Sequence, residues 1–203
     1  LWLEDREQIT RIETMAEILA KEFSFAGILT AVRGAQQGTL LAGAPEYEEQ
    51  LGAVRYHIGP LSFFQVNVGL AEKLLHDLGK TLSLTGQETI ADLYAGVWTF
   101  GLALAGRAKQ VYSVESFEEN LIFLEKNKQA NRVENLTVCK GTSEQWLAKL
   151  LEKDLDIVLF DPPRKGLDPS MCKALLAHSV KRLVYISCNP ATLVRDLKLL
   201  AGR

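Results

Sequence analysis

From Gln87 onward the chain repeats one unit five times: a short apolar run, a glycine-bearing or polar loop, then a helical stretch. Few folds accommodate that rhythm. Strands separated by helices make a parallel sheet in which each helix is the crossover to the next strand. The strands are expected at Ile90 to Tyr94, Val111 to Glu115, Leu136 to Cys139, Ile157 to Phe160 and Leu183 to Ser187. Helix starts are marked too. Ser116 with Glu119 three residues on reads as a capping box, and Asp168-Pro169 as a cap followed by proline at the first helical position. Ahead of this unit, Val68 to Leu78 is expected to be a helix with Leu70, Leu74, Leu75 and Leu78 on one face. The fold class is therefore α/β.

Residues 1 to about 60 have a different texture. Asp5 is a candidate cap for an amphipathic helix in which Ile9, Ile12, Ala16 and Leu19 recur at helical spacing. Phe25 to Val32, Thr39 to Ala42 and Leu51 to Ile58 read as short antiparallel strands, with a turn at Gly34 to Gly38 and a close at Gly59-Pro60. This segment, 1–60, is expected to be a small accessory α+β piece beside a main unit over 61–203. Neither part shows an internal repeat or a low-complexity stretch.

Composition narrows the class further. Hydrophobic residues make up 47% and charged residues 24% of the 203, enough to bury a core without staples and too apolar for a disordered chain. No apolar run reaches the ~18 residues of a membrane helix, and no basic-then-apolar leader precedes Arg11. Cys139, Cys172 and Cys188 are odd in number and lack C-x-x-C spacing, which speaks against disulfides and zinc and for a reducing cytoplasm. The formal charge of −2 carries no global sign of nucleic-acid binding, though a local basic surface would not show in a sum. A chain that opens on Leu1 is expected to be part of a longer protein.

Ligands of open α/β sheets bind beyond the carboxyl ends of the strands. Four of the five ends here carry polar or reactive groups: Asp92 to Gly96, Glu115, Asp161 to Arg164, and Ser187 to Pro190. The Asp92–Thr99 loop has a single glycine, Gly96, so as a nucleotide loop it is a weak signal. Glu115 at the end of the next strand strengthens it, because a carboxylate there can accept hydrogen bonds from both hydroxyls of an adenosine ribose. An ordinary strand-to-helix turn with a solvated glutamate is the alternative. Cys139 and Cys172 read as small buried hydrophobes. Cys188 reads either that way or, at the rim and facing the helix expected from Pro190 to Leu200, as a nucleophile. The paired prolines after Asp161 stiffen a loop that either presents its carboxylate to the crevice or merely ends the strand.

Four segments taken in order are more specific. Phe64-Gln65-Val66-Asn67, Asp92-Leu93-Tyr94-Ala95-Gly96, Asp161-Pro162-Pro163-Arg164-Lys165-Gly166 and Ser187-Cys188-Asn189-Pro190-Ala191-Thr192-Leu193-Val194-Arg195-Asp196 resemble the RNA 5-methyluridine methyltransferase family. The resemblance runs from about residue 60 to the end. It implies a Rossmann-like class I methyltransferase sheet, S-adenosylmethionine as cofactor, and cofactor positions at Gln65, Tyr94, Gly96, Glu115 and Asp161. Thr99 and Thr142 fall at further positions near the cofactor in some members. It implies that Cys188 is the nucleophile and that RNA is the partner, ribosomal RNA (23S) first and transfer RNA second. The chain departs from the family where Val97-Trp98 follows Gly96, since the family's loop commonly has Cys-Gly-x-Gly. The family's general base, a glutamate well downstream of the nucleophile, would lie beyond Arg203, so this chain by itself is not expected to complete turnover.

That chemistry suits the residue types. Carbon 5 of uracil is a poor nucleophile, and a thiolate adding at carbon 6 makes carbon 5 electron-rich. A base must later take the carbon-5 proton, and the target base must leave its stack to reach the rim. Methylation of transfer RNA, a cytosine or an exocyclic amine is the runner-up, and a degenerate, non-catalytic RNA-binding paralogue is the reading from another class. An amine needs no thiolate, so Cys188 separates the first two.

Overall fold

The computed structural model describes residues 2–3, 7–23, 25–32, 38–65, 67–97, 100–178 and 180–202. Asp5, residues 34–37, Val66, Trp98 and Thr99, all of which carry expectations from the sequence, lie outside the described residues.

The main unit is a five-stranded sheet formed by β6 (Thr89–Leu93), β7 (Gln110–Glu115), β8 (Leu136–Lys140), β9 (Ile157–Phe160) and β10 (Arg182–Tyr185). Its spatial order is β10-β9-β6-β7-β8, and every pairing is parallel. The five apolar runs are the strands, as their patterning requires: Ile90, Leu93, Val111, Val114, Leu136, Ile157, Leu159 and Phe160 are all buried. The chain starts in the middle at β6, fills one side with β7 and β8, then returns to fill the other with β9 and β10. That reversal opens a crevice between the carboxyl ends of β6 and β9.

Helices cover the sheet: α2 (Val68–Leu82), α3 (Phe100–Ala105), α4 (Glu118–Ala130), α5 (Ser143–Leu151), α6 (Pro169–Ala177) and α7 (Pro190–Leu200). Asp168 caps α6 by accepting from Ser170 N at 2.8 Å, and Asn189 caps α7 by accepting from Ala191 N at 3.1 Å, each with proline next in line. Two expectations change. In α2 the buried stripe is Ala71, Leu78 and Leu82 with Leu75 partly buried, while Leu70 and Leu74 face outward. The Ser116–Glu119 capping box does not form. The Ser116 amide is taken by Glu115, Phe117 precedes the helix without a side-chain cap, and Glu119 turns inward to accept from Leu61 N at 2.8 Å.

Ahead of the sheet lie β1 (Trp2–Leu3), α1 (Glu7–Phe23), β2 (Gly27–Val32) and β3 (Thr39–Gly43). β1 runs parallel to β2, and β3 pairs antiparallel on its other side. Among the described side chains of α1, Ala16 is buried. The run read as one strand over Leu51 to Ile58 is instead a turn and part of a hairpin. β4 (Tyr47–Leu51) and β5 (Val54–Ile58) pair antiparallel, with Gly52 at a φ of 58° between them.

The hairpin is joined to α4 by two asparagines. Asn127 accepts from His57 N at 2.6 Å and donates to His57 O at 3.0 Å; Asn131 does the same for Arg55 at 2.9 and 2.6 Å. Four residues of helix rise about 6 Å and two residues of strand about 6.6 Å, so Asn127 on α4 and Asn131 at its C-cap, four residues apart, match alternate residues of β5. The amides thereby occupy main-chain groups of a strand edge. Tyr56 and Ile58 point the other way, into the core that also holds Phe64, Phe100 and Leu136. Among the described residues no helix is long and apolar enough to cross a membrane.

Candidate active site

The cleft at the carboxyl ends of β6 and β9 has a volume of about 530 Å³ and is lined by Phe63, Gln65, Tyr94, Ala95, Gly96, Glu115, Asn120, Asp161, Pro162, Pro163, Arg164 and Cys188. It gathers the sequence-derived candidates Gln65, Tyr94, Gly96, Glu115, Asp161 and Cys188 in one place; Thr99 lies outside the described residues. A smaller cleft of about 300 Å³ continues past Tyr94 and Glu115 to Thr142, Ser143, Glu144 and Lys165.

The β6 end is shaped by backbone geometry. Tyr94 takes a φ of 61° and Gly96 one of 63°, so the chain turns sharply twice within three residues. Tyr94 N donates to Ser143 Oγ at 3.0 Å, and its hydroxyl donates to Glu144 Oε1 at 2.8 Å. Burial, with the Glu144 carboxylate beside it, raises the phenol above its usual range. Asp92, from the same motif, serves the packing instead, since its Oδ2 accepts from Gly101 N at 2.8 Å at the start of α3. A Cβ on Gly101 would lie 2.9 Å from that oxygen and 2.8 Å from Val111, so the close packing of α3 on the sheet needs glycine.

Glu115 is bound on both oxygens. Oε1 accepts from Ser116 N at 2.6 Å and Phe117 N at 2.7 Å; Oε2 accepts from Gly96 N at 2.7 Å and from Asn120 Nδ2 at 3.3 Å. These contacts tie the β6 loop to the β7 loop and fix the carboxylate at the cleft wall. It is not the solvated glutamate of an ordinary turn.

Asp161 closes the opposite wall. Burial pushes its carboxyl up to about 6, so it changes charge near neutrality. Cys188 is exposed, whereas Cys139 and Cys172 are buried; burial pushes the Cys139 thiol up to about 11. Between Asp161 and Cys188 runs a joint that sequence reasoning missed. Asn189 Nδ2 and Thr192 Oγ1 donate to Arg164 O at 3.1 and 3.3 Å, and Arg195 Nη2 donates to Lys165 O at 2.8 Å. Asp196, with no exposed surface, accepts from Leu167 N at 2.8 Å, from Tyr185 Oη at 2.7 Å and from Arg195 Nε at 2.8 Å. Burial alone would raise the Asp196 carboxyl, but the hydrogen bonds from Tyr185, Leu167 and Arg195 outweigh it and hold the carboxyl below its ordinary value. Gly166, at a φ of 77°, lies so close that a Cβ would stand 2.4 Å from Asp196 Oδ2. The signal was in the sequence, because Arg195-Asp196 ends the same motif that contains Cys188. Asn120 and Glu119 carried no such signal. Among the described residues no group of three or more His, Cys, Asp or Glu is arranged to hold a metal ion.

Residues 50–202 match the family model described as tRNA (Uracil-5-)-methyltransferase. The chain belongs to this family. An uncharacterized RNA methyltransferase of Enterococcus faecalis is 42% identical over 163 residues, covering 79% of this chain and 36% of the relative. One from Listeria monocytogenes is 38% identical over 200 residues, covering 94% and 44%. Among solved structures, the Pyrococcus abyssi tRNA (uracil-54, C5)-methyltransferase in complex with S-adenosyl-L-homocysteine is similar at a TM-score of 0.70 and 34% identity, over 87% of this chain and 44% of that one. Pyrococcus horikoshii TYW2, at 17% identity and a TM-score of 0.61, over 100% of this chain and 75% of that one, shares the fold. The chain thus spans less than half the length of the curated relatives it matches, and its sheet is the core of a class I methyltransferase.

Proposed function

We propose that this chain carries the cofactor site and the nucleophile of an S-adenosylmethionine-dependent RNA uracil-C5 methyltransferase. The observation that carries the reading is that Cys188, the exposed cysteine, shares one cleft with Glu115 and Asp161 at the point where the strand order reverses. The residues present fit the cofactor: a carboxylate fixed at the end of β7, a glycine turn at the end of β6, and a second carboxyl on the far wall. Gln65, Tyr94, Gly96, Glu115 and Asp161 would hold it. When bound, it supplies an electrophilic methyl group on a sulfonium sulfur.

Cys188 has the rest of the work. Its thiolate adds to carbon 6 of the uracil ring, a C–S bond forms, and the electrons of the 5,6 double bond move toward the carbon-4 oxygen, leaving carbon 5 nucleophilic. After carbon 5 has been methylated, a base takes the proton from it, the double bond returns and the C–S bond breaks. Phe63, 68% exposed among the residues that line the cleft, offers an aromatic face to a base turned out of its stack. An exocyclic amine needs no such thiol, so the placement of Cys188 favours carbon-5 chemistry. The Pyrococcus abyssi neighbour acts on a transfer RNA uracil, while ribosomal RNA is our first expectation for this chain.

Titration calorimetry with S-adenosylhomocysteine tests the cofactor half. Micromolar binding by the full-length protein, about −8 kcal/mol, is expected, with loss in Glu115→Ala; no binding by the full-length wild type refutes the assignment. Methyl transfer from labelled S-adenosylmethionine by the full-length protein, offered transfer RNA and 23S ribosomal RNA separately, tests the other half. Cys188→Ala is expected to abolish transfer, and the RNA that accepts label identifies the substrate.

A further inference from the structure

The Glu115 carboxylate has about four lone-pair positions, and four donors occupy them: the amides of Ser116, Phe117 and Gly96 and the side chain of Asn120. Three of those bonds are 2.7 Å or shorter and hold the loops together; the fourth, from Asn120 Nδ2, is the longest at 3.3 Å. A ribose meeting this wall therefore finds the glutamate already engaged, and the Asn120 bond is the one most readily exchanged.

Asn120 itself is left incomplete. It stands in the first turn of α4, is 8% exposed, and lines the cleft beside Glu115. A carboxylate has no proton to give, so the amide must turn its NH2 toward Glu115 and its carbonyl away. That carbonyl, Oδ1, is buried without a hydrogen-bond partner. Leaving a buried acceptor unpaired is costly, and native structures tolerate few such groups without a reason. At the wall of a ligand cleft, a donor that arrives with the ligand would satisfy it.

We infer that Asn120 is a cofactor-recognition residue, whose Oδ1 accepts a hydrogen bond from a ribose hydroxyl and which reads the diol together with Glu115. This rests on the proposed S-adenosylmethionine site. Glu115 supplies the fixed negative charge, and Asn120 supplies the acceptor that the engaged carboxylate lacks. A hydroxyl that takes the Oε2 position now held by the asparagine amide also frees that amide to turn its carbonyl to the ligand.

The test is a thermodynamic cycle between a side chain and a hydroxyl, read by calorimetry on the full-length protein. Wild-type protein and Asn120→Ala are titrated with S-adenosylhomocysteine, 5′-methylthioadenosine, and its 2′-deoxy and 3′-deoxy analogues. Wild type is expected to lose about tenfold in affinity when the hydroxyl that Asn120 reads is removed. Asn120→Ala is expected to bind methylthioadenosine about tenfold more weakly and to lose that discrimination, which a purely structural asparagine would preserve. An alanine variant that keeps wild-type discrimination at both hydroxyls, whatever its affinity, overturns the inference and leaves the cofactor site standing. Wild type that binds none of these ligands overturns the cofactor site and the inference with it. Should Asn120→Ala fail to fold, Asn120→Ser repeats the cycle with a smaller polar side chain.

Discussion

Tyr185, the last residue of β10, donates its hydroxyl at 2.7 Å to Asp196 inside α7, and the same carboxylate oxygen accepts the amide of Leu167. Strand, helix and loop thus meet on one side chain with no exposed surface. Cys188 lies between the strand and the helix, and the loop continues from Asp161. The joint therefore sets how the two walls of the cleft face each other.

Asp196→Asn is expected to lower stability at pH 7 by ~1–3 kcal/mol, because it removes the charge that Arg195, Tyr185 and Leu167 all address. The folded-state carboxyl sits below its ordinary value. Its contribution is therefore complete above the ordinary carboxylate range and is lost as pH falls through the lowered value. Urea unfolding of both proteins from pH 7 to pH 3 should show the gap narrowing at the acid end. A constant gap would show that the charge contributes nothing.

Asp161 has the opposite sign. Its carboxyl is raised to about 6 by burial, so the folded state binds its proton more tightly than the unfolded chain does. Stability from this group is present below about pH 4 and is lost as pH rises through about 6. Asp161→Asn is expected to stabilise the ligand-free chain at pH 7.5 by ~1–3 kcal/mol and to weaken S-adenosylhomocysteine binding. Paired urea and calorimetric titrations read both effects, and a variant less stable than wild type at pH 7.5 would contradict the first.

The sheet was legible because its strands are continuous apolar runs, a pattern that depends on nothing outside the segment. The hairpin was not. Leu51-Gly52-Ala53-Val54 reads as one strand until Gly52 is known to take a positive φ. Ser116 and Glu119 satisfy a capping-box spacing, yet the local rule lost to tertiary partners: Glu115 holds the Ser116 amide and Leu61 claims Glu119. Gln65, Tyr94, Gly96, Glu115, Asp161 and Cys188, which line one cleft, were singled out because they follow strands or belong to motifs. Asn120 belongs to no motif, and its position becomes visible only when α4 is laid against the end of β7.

Asn127→Ala is expected to cost ~2–4 kcal/mol, since it strips partners from both main-chain groups of His57 at a site with no exposed surface. Hydrogen exchange should show the loss directly. The His57 amide is expected to exchange far faster in the variant, while amides of β6 and β9 change only as much as global stability does. Equal acceleration in all three strands would mean that the hairpin and sheet open together.

Iodoacetamide is expected to label one thiol in the native protein and three after unfolding in urea, since Cys139 and Cys172 are 2% and 1% exposed while Cys188 is exposed. Peptide mass mapping identifies the site, and Cys188→Ser should leave the native protein unlabelled. Label on Cys139 or Cys172 without denaturant would contradict the packing described for β8 and α6.

The loop from Arg164 to Leu167 is gripped almost wholly by its main chain: the carbonyls of Arg164, Lys165 and Leu167 and the amide of Leu167. Peptide groups are common to every amino acid except for proline's missing N–H, so the grip does not depend on which side chains positions 164 and 165 carry. Only Gly166 is constrained. Those two side chains line the larger and the smaller cleft, and they can be exchanged without loosening the hinge beneath them. Selection can thus retune what the rim presents while the distance between Cys188 and the carboxylates across the cleft stays inherited.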